Sequence, residues 1–166
     1  MLKLETLSKV PLFKGLDPEH LGFLQPLFRP LKVTKGHYIL RENTCGDQFF
    51  LLVEGCVQVT KDLVKGFDQD QASTEKVLAT LSGESLPTFG ENGVLGHGAR
   101  IANIIAQSDS LLYTLSKADF DRFASHNYQG AYIVMTNIAK KISETLKSTD
   151  DNLVKLATAL YIAVQQ

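Results

Sequence analysis

The hydrophobic period of this chain changes at Leu31, and that change constrains the fold more than any other feature. From there, short runs rich in β-branched and aromatic residues follow one another: Leu31–Val33, Tyr38–Leu40, Phe49–Val53, Val57–Val59, Val77–Leu81, Ile101–Ala106 and Leu111–Leu115. Turn residues punctuate them at Lys35-Gly36, Cys45-Gly46-Asp47, Glu54-Gly55 and Ser82-Gly83. Strands this short and this regularly interrupted specify an antiparallel sandwich, barrel or jelly roll. The polar stretch Asp62–Glu75 reads as a long, mobile hairpin loop within it.

Helical patterns flank the strands. Leu2, Leu4, Leu7 and Val10 carry a short helix that Pro11 stops. Asp17 is a natural N-cap with Pro18 at the first helical position, and Pro26 and Pro30 limit the helix that follows. Ser116 and Asp119 cap a helix to His126 in which Phe120 and Phe123 face inward. Asn127 opens a long helix. Its positions 142, 146, 149, 153, 156 and 160 repeat with heptad spacing, a seam suited to a second copy of the chain. The same residues could instead pack on their own chain. Asp150, Asp151 and Asn152 are poor helix formers and mark a possible break near Thr149. The fold class is therefore α+β, mainly β: an antiparallel β-roll or jelly roll with N-terminal helices and a long C-terminal helix. The expected division is 1–126 for the roll and its N-terminal helices, and 127–166 for the dimerisation helix.

Composition excludes several function classes. A net charge of −1 gives the chain no general attraction to nucleic acid or acidic membranes. Cys45 and Cys56 stand eleven apart without a CxxC pattern, so no disulfide framework is expected. The N-terminus lacks a signal-peptide core, and no apolar run is long enough to span a bilayer, so the expected location is cytoplasmic. The four histidines, at 20, 37, 97 and 126, are isolated, which argues against a cupin-type metal enzyme. Neither a Walker-A lysine nor a Rossmann glycine fingerprint is present. No enzyme activity, metal or cofactor is expected.

The chemistry concentrates in Phe89–Ala106, which holds four glycines, the acid Glu91, Arg100 and a closing apolar run. Glycines let backbone approach a ligand closely, and amide groups at a short helical turn suit an anion. Arg100 adds a fork of donors for a phosphate. Surface charge is mostly lysine here, thirteen against four arginines, so Arg100 beside an apolar strand points to a specific partner. A structural ion pair between Glu91 and Arg100 is the alternative. His97, between two glycines, reads as an exposed tip.

These residues resemble the cyclic-nucleotide-binding domain family, which includes catabolite activator protein and the regulatory subunits of cyclic-AMP-dependent kinase. The resemblance begins at Leu12, Phe13 and Leu16, continues through Gly46-Asp47 and Gly55, and is sharpest at Phe89-Gly90-Glu91 and Arg100. It implies that Glu91 accepts a hydrogen bond from the ribose 2′-hydroxyl and that Arg100 pairs with the cyclic phosphate. Phe89, Gly90, Asn92, Ile101 and Ala102 would complete that half of the site. Asn103 stands where the family has a hydroxyl that helps distinguish guanine from adenine, and an Asn there can hydrogen-bond either base. Thr149 stands where a polar residue of the long helix meets the base, while its place in the seam reads equally as a polar residue that fixes register. Asn92 and Ala99 depart from the family pattern, as does the extra length Glu84–Thr88. The implied function is a regulatory domain that binds a cyclic mononucleotide, cAMP or cGMP, and moves the long helix against a downstream protein. Loss of Arg100 is expected to remove binding and spare the fold. The alternative is a roll that has lost binding and serves as a dimeric interaction module. The family's DNA-binding branch adds a helix-turn-helix after the long helix, and the sequence ends at Gln166, so no direct DNA contact is expected.

Overall fold

A computed structural model describes residues 2–62, 75–96 and 98–165. The loop expected between Asp62 and Glu75 and the His97 tip lie outside the described residues. The strands are β1 Arg29–Val33, β2 Tyr38–Leu40, β3 Gln48–Glu54, β4 Cys56–Asp62, β5 Glu75–Ser82, β6 Thr88–Phe89, β7 Asn103–Ala106 and β8 Ser110–Ser116. The α-helices are α1 Leu4–Ser8, α2 Pro18–Leu24, α3 Asn92–Leu95, α4 Lys117–His126 and α5 Tyr128–Val164. Among the described residues the strands form two four-stranded antiparallel sheets, ordered β1-β8-β3-β6 and β2-β7-β4-β5. This is the antiparallel roll with N-terminal helices and a long C-terminal helix that the periodicity predicts.

The first sheet is buried on both faces. Phe49 and Leu51 of β3 pack into a cluster with Leu7, Phe13, Leu24, Phe120, Val134 and Ile138 of the helical layer. Their neighbours Phe50 and Leu52 point the other way, into the roll with Val57, Phe89, Ile104 and Leu112. That is why β3 reads as an unbroken apolar run instead of an alternating one. Helix α2 ends at Leu24, before Pro26 and Pro30. Pro30 lies inside β1, an edge strand, where a missing N–H is tolerated.

The caps form where expected. Asp17 accepts from the His20 amide, Ser116 from the Asp119 amide and Asn127 from the Gly130 amide. Helix α5 runs 37 residues without a break, about 55 Å of rise. Asp150 and Asp151 are accommodated because they are exposed, and Lys147 and Lys155 stand one turn either side of Asp151. Its first turns are anchored by buried Ala131, Val134 and Ile138, and the Asn137 amide donates to the carbonyls of Leu12 and Lys14 at 2.9 Å. The second half of the seam is left open: Leu153, Leu156 and Leu160 are 63%, 67% and 64% exposed. Among the described residues no helix is long and apolar enough to cross a membrane.

Candidate functional site: a cleft between the roll and the long helix

A cleft of about 610 Å³ opens between the second sheet and α5. Leu40, Val59, Ala79, Leu81 and Ile104 supply its apolar floor. Helix α5 supplies the opposite wall with Ile138, Lys141, Ile142, Thr145, Leu146 and Thr149, the spacing of one helix face. Phe89–Asn92 and Arg100–Ala102 close one end.

That end is built around Arg100. Its amide donates to the Thr44 carbonyl, and its own carbonyl accepts from the Asn43 amide, both at 2.8 Å. The backbone is therefore clamped to the turn before β3. The side chain then crosses two glycines. A Cβ on Gly46 would stand 2.6 Å from one terminal nitrogen, and a Cβ on Gly90 would stand 2.9 Å from the other. Gly90 also holds φ at +77°, which other residues resist. Nη1 donates to the Gly90 carbonyl at 2.9 Å and Nη2 to the Gln48 carbonyl at 2.8 Å. The group is 5% exposed, and burial pushes its pKa down while Asp47 and Glu91 oppose the shift. An arginine stays charged under that pressure. Two hydrogen bonds use only part of a five-donor fork.

Glu91 follows Gly90 at the mouth of α3. It does not pair with Arg100, contrary to the ion-pair alternative. Its carboxylate is bonded instead by the Lys141 ammonium from α5 and by the Thr88 hydroxyl, the latter at 2.8 Å. Gly93 lets α3 settle against β3, since a Cβ there would stand 2.5 Å from the Gln48 carbonyl oxygen and 2.7 Å from its nitrogen.

Phe89, Gly90, Glu91, Asn92, Arg100, Ile101, Ala102 and Thr149 all line the cleft. Asn103 does not, and the base-contact reading of it is corrected. Its amide group is committed elsewhere, accepting from the Glu42 amide at 2.7 Å and donating to Asp62 at 3.1 Å. Strand alternation puts it opposite Ala102 and Ile104. Ile101 is likewise not in a strand: β7 begins at Asn103, and Ile101 is 68% exposed at the cleft rim. The extra length before Phe89 forms a turn of 3-10 helix at Gly83–Ser85 and a left-handed Leu86. Lys141, Thr88 and Thr145 were not legible as site residues. Among the described residues no group of three His, Cys, Asp or Glu side chains is placed to hold a metal ion.

The family model for the cyclic nucleotide-binding domain matches residues 30–127. The chain belongs to the cyclic nucleotide-binding domain family. It is 35% identical to cGMP-dependent protein kinase, isozyme 1, of Drosophila melanogaster over 117 residues, which are 70% of this chain and 14% of that kinase. It thus spans a small part of the curated relatives it matches. Among solved structures it is similar to the Thermus thermophilus catabolite activator protein, with TM-score 0.74 and 25% identity over 89% of this chain and 63% of that one. It is also similar to the regulatory domain of Toxoplasma gondii PKA, solved with cAMP, at TM-score 0.69 and 25% identity over 85% of this chain and 48% of that one. The family's nucleotide-binding role fits a cleft with a fixed cation and a held carboxylate at one end and apolar walls beyond.

Proposed function

We propose that the cleft binds a purine cyclic mononucleotide, cAMP in preference to cGMP, and that occupancy is passed to α5 and through it to a downstream protein. The domain acts by binding and performs no chemistry of its own. One observation carries this reading: Arg100 and Glu91 share one end of the cleft without neutralising each other. Arg100 takes the cyclic phosphate with its remaining donors, and Glu91 takes the ribose 2′-hydroxyl. The purine then lies between the apolar floor and α5. A cytoplasmic setting goes with this reading.

Adenine is favoured by the state of two hydroxyls. Thr145 donates to the Lys141 carbonyl and Thr149 to the Thr145 carbonyl, both at 2.9 Å. Their protons are spent, and their oxygens remain as acceptors. An adenine amino group can use an acceptor there, whereas the guanine O6 needs a donor. We expect cAMP to bind roughly tenfold more tightly than cGMP, the worth of about one hydrogen bond. Thermal shift checks this. At one hundred times Kd a ligand adds about 2.7 kcal/mol, so cAMP should raise Tm by roughly 5–10 °C. An equal or larger shift with cGMP at matched concentration would reverse the base assignment.

The same reading has α5 pairing with α5 of a second copy along Leu153, Leu156 and Leu160, which are otherwise left in water. Sedimentation should report the mass of two chains. Replacing Leu153 and Leu156 with glutamate should give a folded monomer. A monomeric parent protein at tens of micromolar would remove the dimer from the account.

A further inference from the structure

Lys141 sits at the junction of the cleft's two walls. It lies on α5 one turn beyond the buried anchor Ile138, and its ammonium reaches across to the corner between β6 and α3. There it donates to the Thr88 carbonyl at 2.5 Å, approaches the Thr88 hydroxyl at 3.3 Å, and bonds Glu91. An ammonium has three donors, and this corner offers three acceptors. Thr88 in turn donates its hydroxyl proton to the same Glu91 oxygen that Lys141 holds, Oε1. The side chain of Glu91 is 13% exposed, so its charge needs such partners. The other oxygen, Oε2, has no hydrogen-bond partner among the described residues, and it is not sealed from solvent. The carboxylate is thus pinned by one oxygen, in a residue that lines the cleft, and the other oxygen is left for a further donor.

We propose that Lys141 is a positioning residue: it fixes Glu91 so that Oε2 meets the sugar hydroxyl, and it makes the seating of α5 and recognition of that hydroxyl a single event. This rests on the reading of the cleft as a cyclic-nucleotide site. From Ile138 onward, the bonds from Lys141 are the side-chain hydrogen bonds that join α5 to the roll among the described residues. Without them α5 keeps its apolar contacts but loses its register on Glu91. The carboxylate keeps Thr88 alone and can turn. Arginine, with its fork of donors, can restore the reach, whereas methionine keeps the stem and removes the charge.

The test compares cAMP with 2′-deoxy-cAMP by calorimetry on the full chain and on K141M and K141R. The parent protein should favour the ribose form by roughly tenfold or more, as expected of a hydrogen bond to a charged acceptor. In K141M that ratio should fall to within about threefold of unity, chiefly through weaker binding of the ribose form, and K141R should recover most of it. Amide exchange in segment 139–149 of α5 with cAMP bound should be faster in K141M than in the parent. A merely structural role would weaken both ligands equally and leave the ratio unchanged, and that result overturns the proposal. If the parent binds neither ligand, the nucleotide reading itself has failed. Should K141M not fold, the ratio in K141Q against K141R decides the matter in the same way.

Discussion

Arg100→Ala should abolish cAMP binding and also lower the melting temperature. Truncating one partner of a buried, hydrogen-bonded charge pair costs about 2–5 kcal/mol, which is roughly thirtyfold to several thousandfold in Kd. The stability effect comes from the two carbonyls that Arg100 holds, those of Gly90 and Gln48. Leaving such groups short of a donor costs about 1–3 kcal/mol in total where water reaches one of them, or roughly 2–12 °C of Tm for a domain of this size. The sequence alone implied that the fold would be spared. The two bonds argue for a cost in stability instead, because the Arg100 side chain is also the strut between β3 and the turn at Gly90. Arg100→Lys should retain charge and lose the fork, so it should bind weakly and remain partly destabilised. Calorimetric titration and scanning calorimetry on both variants check these outcomes. Unchanged affinity in Arg100→Ala would rule out its phosphate role.

Gly93→Ala should damage the site without removing any functional group. The added methyl would stand 2.5–2.9 Å from the nitrogen, carbon and oxygen of Gln48, all main-chain atoms that cannot swing away. Helix α3 must then lift from β3. Glu91 and Gly90 move with it, and the Gln48 carbonyl is the one that Arg100 uses. Overpacking of this kind costs about 1–3 kcal/mol. We expect a Tm lowered by several degrees and cAMP affinity reduced at least about tenfold. Gly98→Ala is the matched control, because a Cβ there meets nothing within 4 Å. Equal behaviour of the two variants would contradict the packing argument.

Much of this site is legible in the sequence because it is contiguous. Phe89–Asn92 and Arg100–Ala102 supply one end of the cleft from a single stretch, and the heptad spacing already singles out Thr149 on the face of α5 that meets the cleft. The strands are legible where burial is simple: β3 shows itself by an apolar run that covers both faces. Legibility fails where register or distance decides. Asn103 is a matter of parity, since one step along β7 separates the cleft face from the face turned to Glu42 and Asp62. The partner of Glu91 lies fifty residues away on a helix that also carries Lys140, Lys147 and Lys155. Which of these turns inward depends on the rotation of α5 about its axis, and buried Val134 and Ile138 set that rotation. Arg100 is legible as a cation for a ligand, while its bonds to main-chain carbonyls leave no trace in composition or spacing.

The central claim is that Arg100 and Glu91 together form one end of a single nucleotide site, and a calorimetric titration of the unmodified chain with cAMP tests it most directly. The account predicts saturable binding with one nucleotide per chain and loss of that signal in Arg100→Ala. No heat from cAMP or cGMP at ligand concentrations near millimolar, with the protein folded, would contradict it and leave the roll as a dimeric interaction module.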